Sequence, residues 1–334
     1  MKNVRWPALL LALTMVFCLV GCNQAEPEPE ALVKIQLNEV THSVFYAPQY
    51  AAMELGYFAE EGIDLELING GGADKVMTAV LTGGSQIGLA GPEASIYVFN
   101  EGREDYCEIF AQLTKRDGSF LVGRAPEPNF KWESLRGSYI IGGRAGGVPL
   151  MTLEYLLRSK GLTPNVDLVV DSSVQFNVMA GAFTGGTGDY VTLFEPTASL
   201  LEREGSGHVL ASIGQEAGEI PYTAYFAGKQ FIADNPELIE GFTRAVYRGQ
   251  QWVAENDAGT IAEVIAPHFP DTDIALLTAV TARHKEIDAW NDTPFMTQAA
   301  FDKLQEVMMQ AGVLAEKVDY DKLVNNHFAE LVAK

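Results

Sequence analysis

Short apolar segments alternate along most of this chain with longer segments in which apolar residues recur every three or four positions. The first pattern is typical of buried strands, and the second is typical of amphipathic helices. Strands and helices that alternate in this way favour a mostly parallel α/β sheet. Ligands of such sheets bind beyond the carboxyl ends of the strands, so we expect functional residues in the turns that follow the predicted strands.

The predicted elements fall into two series separated by a proline-rich break, APEPN at 125–129. Strands are predicted at 33–40, 63–68, 86–90, 108–114, 119–122, 138–143, 166–170, 190–194 and 208–213. Helices are predicted at 48–58, 73–81, 149–160, from about 173, at 196–204, and throughout the chain after the return segment 222–228. We therefore expect an α/β protein of two lobes, with residues 33–124 and 226–334 in the first lobe and 125–225 in the second.

The amino terminus has the layout of an export signal. Lys2 and Arg5 precede an uncharged stretch at 7–21, which is shorter than the ~20 residues of a membrane span. The residues before Cys22 resemble the lipobox of bacterial lipoproteins, which implies cleavage after residue 21 and acylation of Cys22. The alternative is an ordinary signal peptide in which Cys22 is incidental. The following segment, 22–32, contains alternating Glu and Pro and reads as a flexible tether, so we expect a lipid-anchored protein on the extracytoplasmic face of the cell membrane.

Composition narrows the possible partners. Without residues 1–21 the chain keeps 21 basic and 44 acidic residues, a formal charge of −23. Such a surface repels nucleic acid and anionic headgroups, so we expect no nucleic-acid partner and membrane contact only through acyl chains. After cleavage, Cys107 would be the one cysteine left besides the acylated Cys22, so no intramolecular disulfide could form. A lone cysteine of this kind is typically a small buried side chain.

Motifs of common enzymes are missing from the sequence. The glycines at 142–147 lack the GxGxxG spacing, and the segment 70–75 lacks the spacing of a P-loop. No GxSxG or HExxH occurs, and the five histidines lie in separate segments without metal-ligand spacing. We therefore expect a binding protein rather than an enzyme, without cofactor or metal.

Polar, aromatic and glycine residues follow the predicted strands in both lobes. The candidates for ligand binding are Thr41, His42, Ser43, Phe45, Tyr46, Gly71, Gly72, Pro92, Glu93, Arg144, Gly146, Gly147, Ser172, Phe176, Asp189, Phe194 and Glu195. Each type has a structural alternative: the glycines suit tight turns, the aromatics suit a core, and Arg144 suits a solvated loop. Glu93 stands in the first turn of a helix, where it would stabilise the helix dipole, and Ser172 with Gln175 has the spacing of a capping box.

Three segments of the chain resemble one family. They are AAMELGYFAEEGIDLEL at 51–67, VMTAVLTGGSQIGLAGPEAS at 76–95 and SLRGSYIIGGRAGG at 134–147. They are similar to the nitrate, taurine, sulfonate and thiamine-precursor group of ABC-importer solute-binding proteins, although Gln86 and Ser138 replace the usual acidic residue and lysine. The resemblance implies a type II periplasmic-binding fold whose lobes close on a small-molecule nutrient. It also implies delivery to an ABC permease and its ATPase, and we expect a monomer.

The charges of the loop residues indicate which chemical class of ligand the protein binds. Only Arg144 offers a positive charge, against the carboxylates of Glu93, Asp189 and Glu195. A ring with amino donors suits this set, which favours a thiamine-type aminopyrimidine precursor. Nitrate, taurine or an alkanesulfonate remains the alternative within the family.

Two further readings lie outside the transport class. Related enzymes build the thiamine pyrimidine from a histidine and a lysine-bound pyridoxal phosphate. His42 and Lys75 occupy comparable loops here, but no cysteine-rich motif accompanies them. A lipoprotein sensor or adhesion module would bind no small molecule.

Overall fold

Two five-stranded sheets form the centre of the structure, a computed structural model that describes residues 31–334. Both sheets lie within one compact unit, Leu32–Lys334. The predicted signal peptide, Cys22 and nearly all of the tether lie outside the described residues. Within the described part of the chain, no helix combines the length and apolar character that a membrane crossing requires.

The first sheet has the strand order β2-β1-β3-β10-β4. β1, β2 and β3 are parallel, whereas β10 is antiparallel to both of its neighbours. All four residues of β3 are buried, as expected for a strand covered on both faces. The strands are β1 (Val33–Glu39), β2 (Ile63–Asn69), β3 (Ile87–Ala90), β4 (Cys107–Thr114) and β10 (Thr223–Gly228).

The second sheet repeats this arrangement, with the order β7-β6-β8-β5-β9. β6, β7 and β8 are parallel, and β5 is antiparallel to both of its neighbours. The strands are β5 (Ser119–Gly123), β6 (Tyr139–Ile141), β7 (Val169–Asp171), β8 (Tyr190–Phe194) and β9 (His208–Ser212). Each sheet therefore contains one reversed strand, and that strand is the first to follow a passage from the other sheet.

Helices cover the sheets and form most of the chain after β10. The first nine are α1 (Ala47–Glu54), α2 (Tyr57–Glu60), α3 (Ala73–Leu81), α4 (Glu93–Asn100), α5 (Val148–Ser159), α6 (Met179–Thr184), α7 (Thr197–Arg203), α8 (Ile213–Ala217) and α9 (Lys229–Asp234). The others are α10 (Pro236–Glu255), α11 (Ala258–Ile265), α12 (Ile274–Glu286), α13 (Gln298–Gln310), α14 (Tyr320–Leu323) and α15 (His327–Val332). The two-lobed α/β architecture expected from the sequence is confirmed.

The passage between the sheets lies earlier in the chain than the sequence predicted. β5 pairs with β8 and β9 in the second sheet, so the chain leaves the first sheet at 115–118 and not at the prolines of 125–129. It returns between α8 and β10, a few residues before position 226. The apolar run of β5 predicts a buried strand, but nothing local in it specifies which sheet it joins.

Two predicted elements begin later than expected. The strand predicted at 166–170 starts at Val169, because a turn occupies 163–167, where the Asp167 N–H donates to the Thr163 carbonyl at 2.8 Å. The helix predicted from about 173 starts as a 3-10 turn at Phe176 and continues as α6. Gln175 is the residue before that turn and makes no capping hydrogen bond through its side chain, so the predicted capping box with Ser172 does not form.

The helical tail packs closely against the first lobe. α10 carries a buried stripe that includes Phe242, Val246 and Gly249, and it lies across α1. A methyl group at Gly249 would stand 2.2 Å from the Pro48 carbonyl oxygen, so only glycine allows this approach of the two helices. Cys107 is fully buried in the same core, as the sequence suggested.

Candidate ligand-binding cleft

A cleft lies between the two sheets, where the chain leaves strands β1, β2, β3, β6, β7 and β8. The volume of the cleft that is open to the centres of water molecules is about 90 Å³. One water needs roughly 15 Å³ by this measure, so the cleft is large enough for a small organic molecule. Its lining residues are Val40, Thr41, Tyr46, Gly71, Gly72, Ala73, Gly91, Glu93, Arg144, Gly147, Val148, Pro149, Ser172, Val174, Gln175, Phe176, Phe194, Tyr222 and Thr223.

Aromatic rings form a continuous wall on one part of the cleft. The centroids of Phe176 and Phe194 are 5.4 Å apart, and those of Phe194 and Tyr222 are 6.0 Å apart. Phe45 packs against both Phe194 and Tyr222 and is fully buried. Rings at these distances pack favourably with one another and present apolar surface to a flat ligand.

Glu93 places a buried carboxyl group in the cleft. Its side chain begins α4 and is 2% exposed. Oε1 accepts a hydrogen bond from the Val148 N–H at 3.3 Å, whereas Oε2 has no hydrogen-bond partner among the described residues. Burial raises the pKa of Glu93 to about 7, although backbone N–H groups and the Arg144 guanidinium act in the opposite direction. A buried acceptor without a donor costs free energy, which a ligand donor would recover.

Tyr222 brings a second buried polar atom to the cleft, its phenolic oxygen, which lies next to the buried Asp117 carboxyl group. Burial, reinforced by nearby Asp117, raises the pKa of Tyr222 well above its usual range. The hydroxyl therefore stays protonated at neutral pH and can donate as well as accept a hydrogen bond.

The positive charge of Arg144 is partly compensated by a neighbouring carboxylate. Arg144 Nε lies 3.7 Å from Asp74 Oδ1, and both side chains are partly exposed. This pair joins the loop after β6 to the first turn of α3, that is, the second lobe to the first. Among the lining residues Arg144 is the one cation, and it faces two carboxylates, Asp74 beside the cleft and Glu93 within it.

Ten of the predicted site residues line the cleft. They are Thr41, Tyr46, Gly71, Gly72, Glu93, Arg144, Gly147, Ser172, Phe176 and Phe194. All of them follow a predicted strand or end one. The rule that ligands bind beyond carboxyl ends of strands therefore located much of this surface.

His42 and Ser43 do not line the cleft, because other groups hold their side chains. His42 Nδ1 lies 2.7 Å from Glu39 Oε1, and its Nε2 lies 2.8 Å from the His268 carbonyl oxygen. The Ser43 hydroxyl donates to the Glu195 carbonyl at 2.7 Å. Phe45 also stays out of the lining, since it packs behind the aromatic wall.

The carboxylates of Asp189 and Glu195 are also placed elsewhere. Asp189 is exposed just before β8, at the opposite end of that strand from Phe194, and it accepts a hydrogen bond from the Tyr139 N–H. The Glu195 carboxylate is buried and accepts from Ser199 and from Arg283, whose Nη1 is 2.6 Å away. Neither Asp189 nor Glu195 therefore lines the candidate cleft, contrary to what the sequence suggested.

Pro92 and Gly146 lie next to the cleft without lining it. Pro92 precedes α4 at its cap position, and the Gly146 carbonyl accepts from the Tyr97 hydroxyl at 2.8 Å. Pro92 thus belongs to the turn before α4, and Gly146 belongs to the turn before α5.

The sequence pattern missed Tyr222 and Thr223 because Tyr222 precedes a strand and Thr223 begins it, whereas the search covered residues that follow strands. β10 is antiparallel to β3, and Ala224 pairs with Ala90, so the start of β10 lies at the carboxyl end of β3. A reversed strand brings its amino end to the ligand edge. The other lining residues outside the predicted set are Val40, Ala73, Gly91, Val148, Pro149, Val174 and Gln175, which are mostly small or apolar.

A family model described as "NMT1/THI5 like" matches residues 44–259, which include nearly all of the lining residues. The chain belongs to the NMT1/THI5-like family. It is also 40% identical over 332 residues to a protein of Bacillus subtilis (strain 168) named "Putative binding protein YtlA", with 98% of each chain covered. The family resemblance read from the sequence is thereby confirmed.

Solved structures share the fold at low sequence identity. The alkanesulfonate-binding protein SsuA from Xanthomonas axonopodis pv. citri, bound to MOPS, matches with a TM-score of 0.71 at 13% identity, covering 88% of this chain and 98% of that one. The desulfurization enzyme DSZB matches with a TM-score of 0.61 at 14% identity, covering 90% and 98%. The fold class is therefore that of periplasmic binding proteins, and a solved enzyme shares it.

Proposed function

We propose that this protein is an extracytoplasmic solute-binding lipoprotein that captures a small nutrient and delivers it to an ABC importer permease and, through it, to the ATPase. The family, the B. subtilis relative named as a binding protein and the sulfonate-binding structural neighbour all support this role. The cleft between two sheets supplies the place for capture. Thr41 and Glu93 from the first lobe line it together with Phe176 and Phe194 from the second.

The ligand that fits this cleft best is a flat heteroaromatic with at least one N–H donor, such as a thiamine-type aminopyrimidine precursor. The observation that carries this proposal is the buried Glu93 carboxyl, whose Oε2 lacks a hydrogen-bond donor among the described residues. An amino group would supply that donor, and the rings of Phe176, Phe194 and Tyr222 would pack against the ligand ring.

An alkanesulfonate, taurine or nitrate is the second candidate, and one feature favours it. α3 begins at Ala73, and Gly72 and Ala73 line the cleft. The first N–H groups of a helix and its dipole attract anions. Against this candidate stand the buried carboxyl of Glu93 and the pairing of Arg144 with Asp74.

The enzymatic alternative needs a lysine in the cleft, because pyridoxal phosphate is held as a lysine aldimine. No lysine is among the residues that line it, and Lys75 is exposed on α3. The His42 imidazole is hydrogen-bonded to Glu39 and to the His268 carbonyl and does not line the cleft. An aldimine absorbance band in the purified protein would support the enzyme over the binding protein.

A ligand panel tests the proposed function. Thermal unfolding is followed with 4-amino-2-methylpyrimidine, ethanesulfonate, taurine and nitrate, and dissociation constants are measured by calorimetry for any ligand that stabilises. A ligand at ten times its dissociation constant adds about 1.4 kcal/mol to the free energy of unfolding. We expect the aminopyrimidine to bind most tightly. Stabilisation by the sulfonate alone would favour the second candidate, and no stabilisation by any compound would contradict a nutrient-binding role.

The membrane anchor is a separate part of the proposal. Acyl chains on Cys22 would hold the protein at the cell membrane, since two or more chains give durable attachment. Labelled palmitate should enter the wild-type protein in bacterial cells and should be absent from Cys22→Ala. A wild-type protein without label would leave the binding role intact but contradict the anchor.

A further inference from the structure

The Glu93 carboxyl belongs to one lobe and makes a hydrogen bond to the other. It belongs to α4 in the first lobe, and its Oε1 accepts from the Val148 N–H in the second lobe. Val148 is the first residue of α5, a helix of 12 residues, so its N–H lies at the positive end of the helix dipole. The contact therefore exists only while the lobes are close together.

The second oxygen of this carboxyl lies beside the ligand cleft. Oε2 would stand 1.9 Å from a Cβ atom at Gly91, and Gly91 itself lines the cleft. Glycine at 91 is thus what allows the carboxyl to fold back over the end of β3. This oxygen has no hydrogen-bond partner among residues 31–334, although Glu93 is only 2% exposed.

A neighbouring contact fixes the same pair of segments. Tyr97 lies one turn after Glu93 on α4, and its hydroxyl donates to the Gly146 carbonyl at 2.8 Å. Residues four apart share one face of a helix, so α4 presents both side chains to the turn before α5. The Tyr97 contact depends on neither the charge nor the hydrogen bonding of Glu93.

We infer that Glu93 couples ligand binding to lobe closure, by accepting a ligand donor at Oε2 while its Oε1 holds the first turn of α5, and that Gly91 is the positioning residue for this carboxyl. A donor at Oε2 stabilises the ionised carboxylate. The ionised form makes a stronger hydrogen bond to the Val148 N–H than the neutral form does. Occupancy of the cleft therefore strengthens a contact between the lobes. This inference rests on the proposed function, because it needs a ligand with a donor group.

The full-length lipoprotein in detergent allows binding and closure to be measured separately. Spin labels at Glu66→Cys and Val166→Cys, two exposed positions in different lobes, report the distance between lobes, and Cys107 is too buried to be labelled. Calorimetry with 4-amino-2-methylpyrimidine reports the affinity. The distance should shorten on binding in the wild-type protein.

Val148→Pro separates the two steps. Proline is tolerated at the first position of a helix, and Gly147 already has the extended backbone that a following proline requires. The variant removes the N–H that donates to Glu93 Oε1 but leaves Oε2 unchanged. We expect it to bind the probe with about tenfold lower affinity and to lose most of the shortening. Normal shortening in this variant would overturn the coupling and leave the proposed function standing.

Gly91→Ala tests the positioning role. The added methyl group would displace the carboxyl, so we expect at least tenfold weaker binding and little closure. Gly181→Ala is the matched control, because a methyl group there meets nothing within 4 Å. Equal binding by Gly91→Ala and the control would overturn the positioning role. Failure of the wild-type protein to bind the probe would contradict the aminopyrimidine assignment and the inference that rests on it.

Hydrogen exchange gives a measurement that needs no variant. With the probe bound, the Val148 amide should exchange at least tenfold more slowly than without it. An unchanged exchange rate in a protein that binds the probe would overturn the coupling.

Discussion

Two buried glutamates stand at the ends of neighbouring parallel strands and have opposite surroundings. Glu39 ends β1 and Glu93 follows β3, and both side chains are at most 2% exposed. Glu39 accepts from Gln49 Nε2 at 3.1 Å and from the Tyr50 hydroxyl at 2.9 Å, and it contacts His42 Nδ1 at 2.7 Å. Glu93 accepts one hydrogen bond of regular geometry, from the Val148 N–H at 3.3 Å, and its own N–H and that of Ala94 lie near enough to lower its pKa.

The difference lies in how many donors each carboxyl has, not in its residue type or depth. A buried carboxylate with a full set of hydrogen-bond donors has a structural role, because the protein itself compensates the cost of its desolvation. A buried carboxyl with a free oxygen retains capacity for a ligand. Glu39 holds the turn that carries Val40 and Thr41 to the cleft, whereas Glu93 faces the cleft itself.

The largest effect should follow from removing Glu39. Glu39→Ala leaves the buried donors of Gln49 and Tyr50, and the partly exposed donor of His42, without their acceptor. This should lower the free energy of unfolding by about 3–5 kcal/mol. Urea unfolding measures it, with the exposed Glu66→Ala as control, expected to stay within about 0.5 kcal/mol of wild type. Equal stability of the two variants would contradict the role given to Glu39.

A pH effect of similar size should come from Glu93. Its pKa is raised from 4.5 to about 7 by burial, so the folded protein binds this proton more tightly than the unfolded chain. The associated stability is full below pH 4.5 and is lost as pH rises through 7, about 3 kcal/mol in total. Asp117, whose pKa burial also raises to about 7, adds a contribution of the same sign.

Glu93→Gln should remove its part of this pH dependence and leave that of Asp117. Urea unfolding of the ligand-free protein between pH 5 and 8 provides the comparison. If the variant lost stability with pH as steeply as the wild-type protein, the Glu93 carboxyl would not titrate as its burial requires.

The same variant should weaken ligand binding at constant pH. An amide at position 93 turns a donor toward the ligand donor, or leaves only a neutral acceptor, and charged hydrogen bonds contribute about 1.5–3 kcal/mol. We expect affinity for 4-amino-2-methylpyrimidine at pH 8 to fall about 10- to 100-fold in calorimetry. Glu101→Gln, an exposed carboxylate at the far end of α4, should bind as wild type does. Wild-type affinity in Glu93→Gln would assign the ligand donor to another residue.

The smallest effect concerns His42. Its pKa is raised above 6.5, mainly by the hydrogen bond to Glu39 and against the effect of burial. Titration by nuclear magnetic resonance should therefore show a midpoint above 6.5, and Glu39→Gln should lower that midpoint. An unchanged midpoint in the variant would show that other groups set the charge of His42.

Sequence periodicity predicted most of the elements, and the ligand edge with them. The helix predicted at 73–81 and the strand predicted at 190–194 agree with α3 and β8 residue for residue. The strand predicted at 166–170 begins later, because Asn165 and Asp167 form a turn. The order of apolar and polar residues does not indicate this turn. Among the carboxylates, the sequence ranked Glu93, Asp189 and Glu195 together, although only Glu93 lines the cleft.

By itself the sequence determined the two α/β series, the family, the acidic surface and the set of turns in which ligand contacts were expected. These follow from local periodicity and composition, which each segment carries on its own. Tertiary structure alone decided that β5 and β10 run opposite to their neighbours in the two sheets. The reversal of β10 brings Tyr222 to the cleft. It also decided which buried carboxyl keeps a free oxygen, because the donors of a carboxyl come from residues distant in the chain, as Val148 is from Glu93.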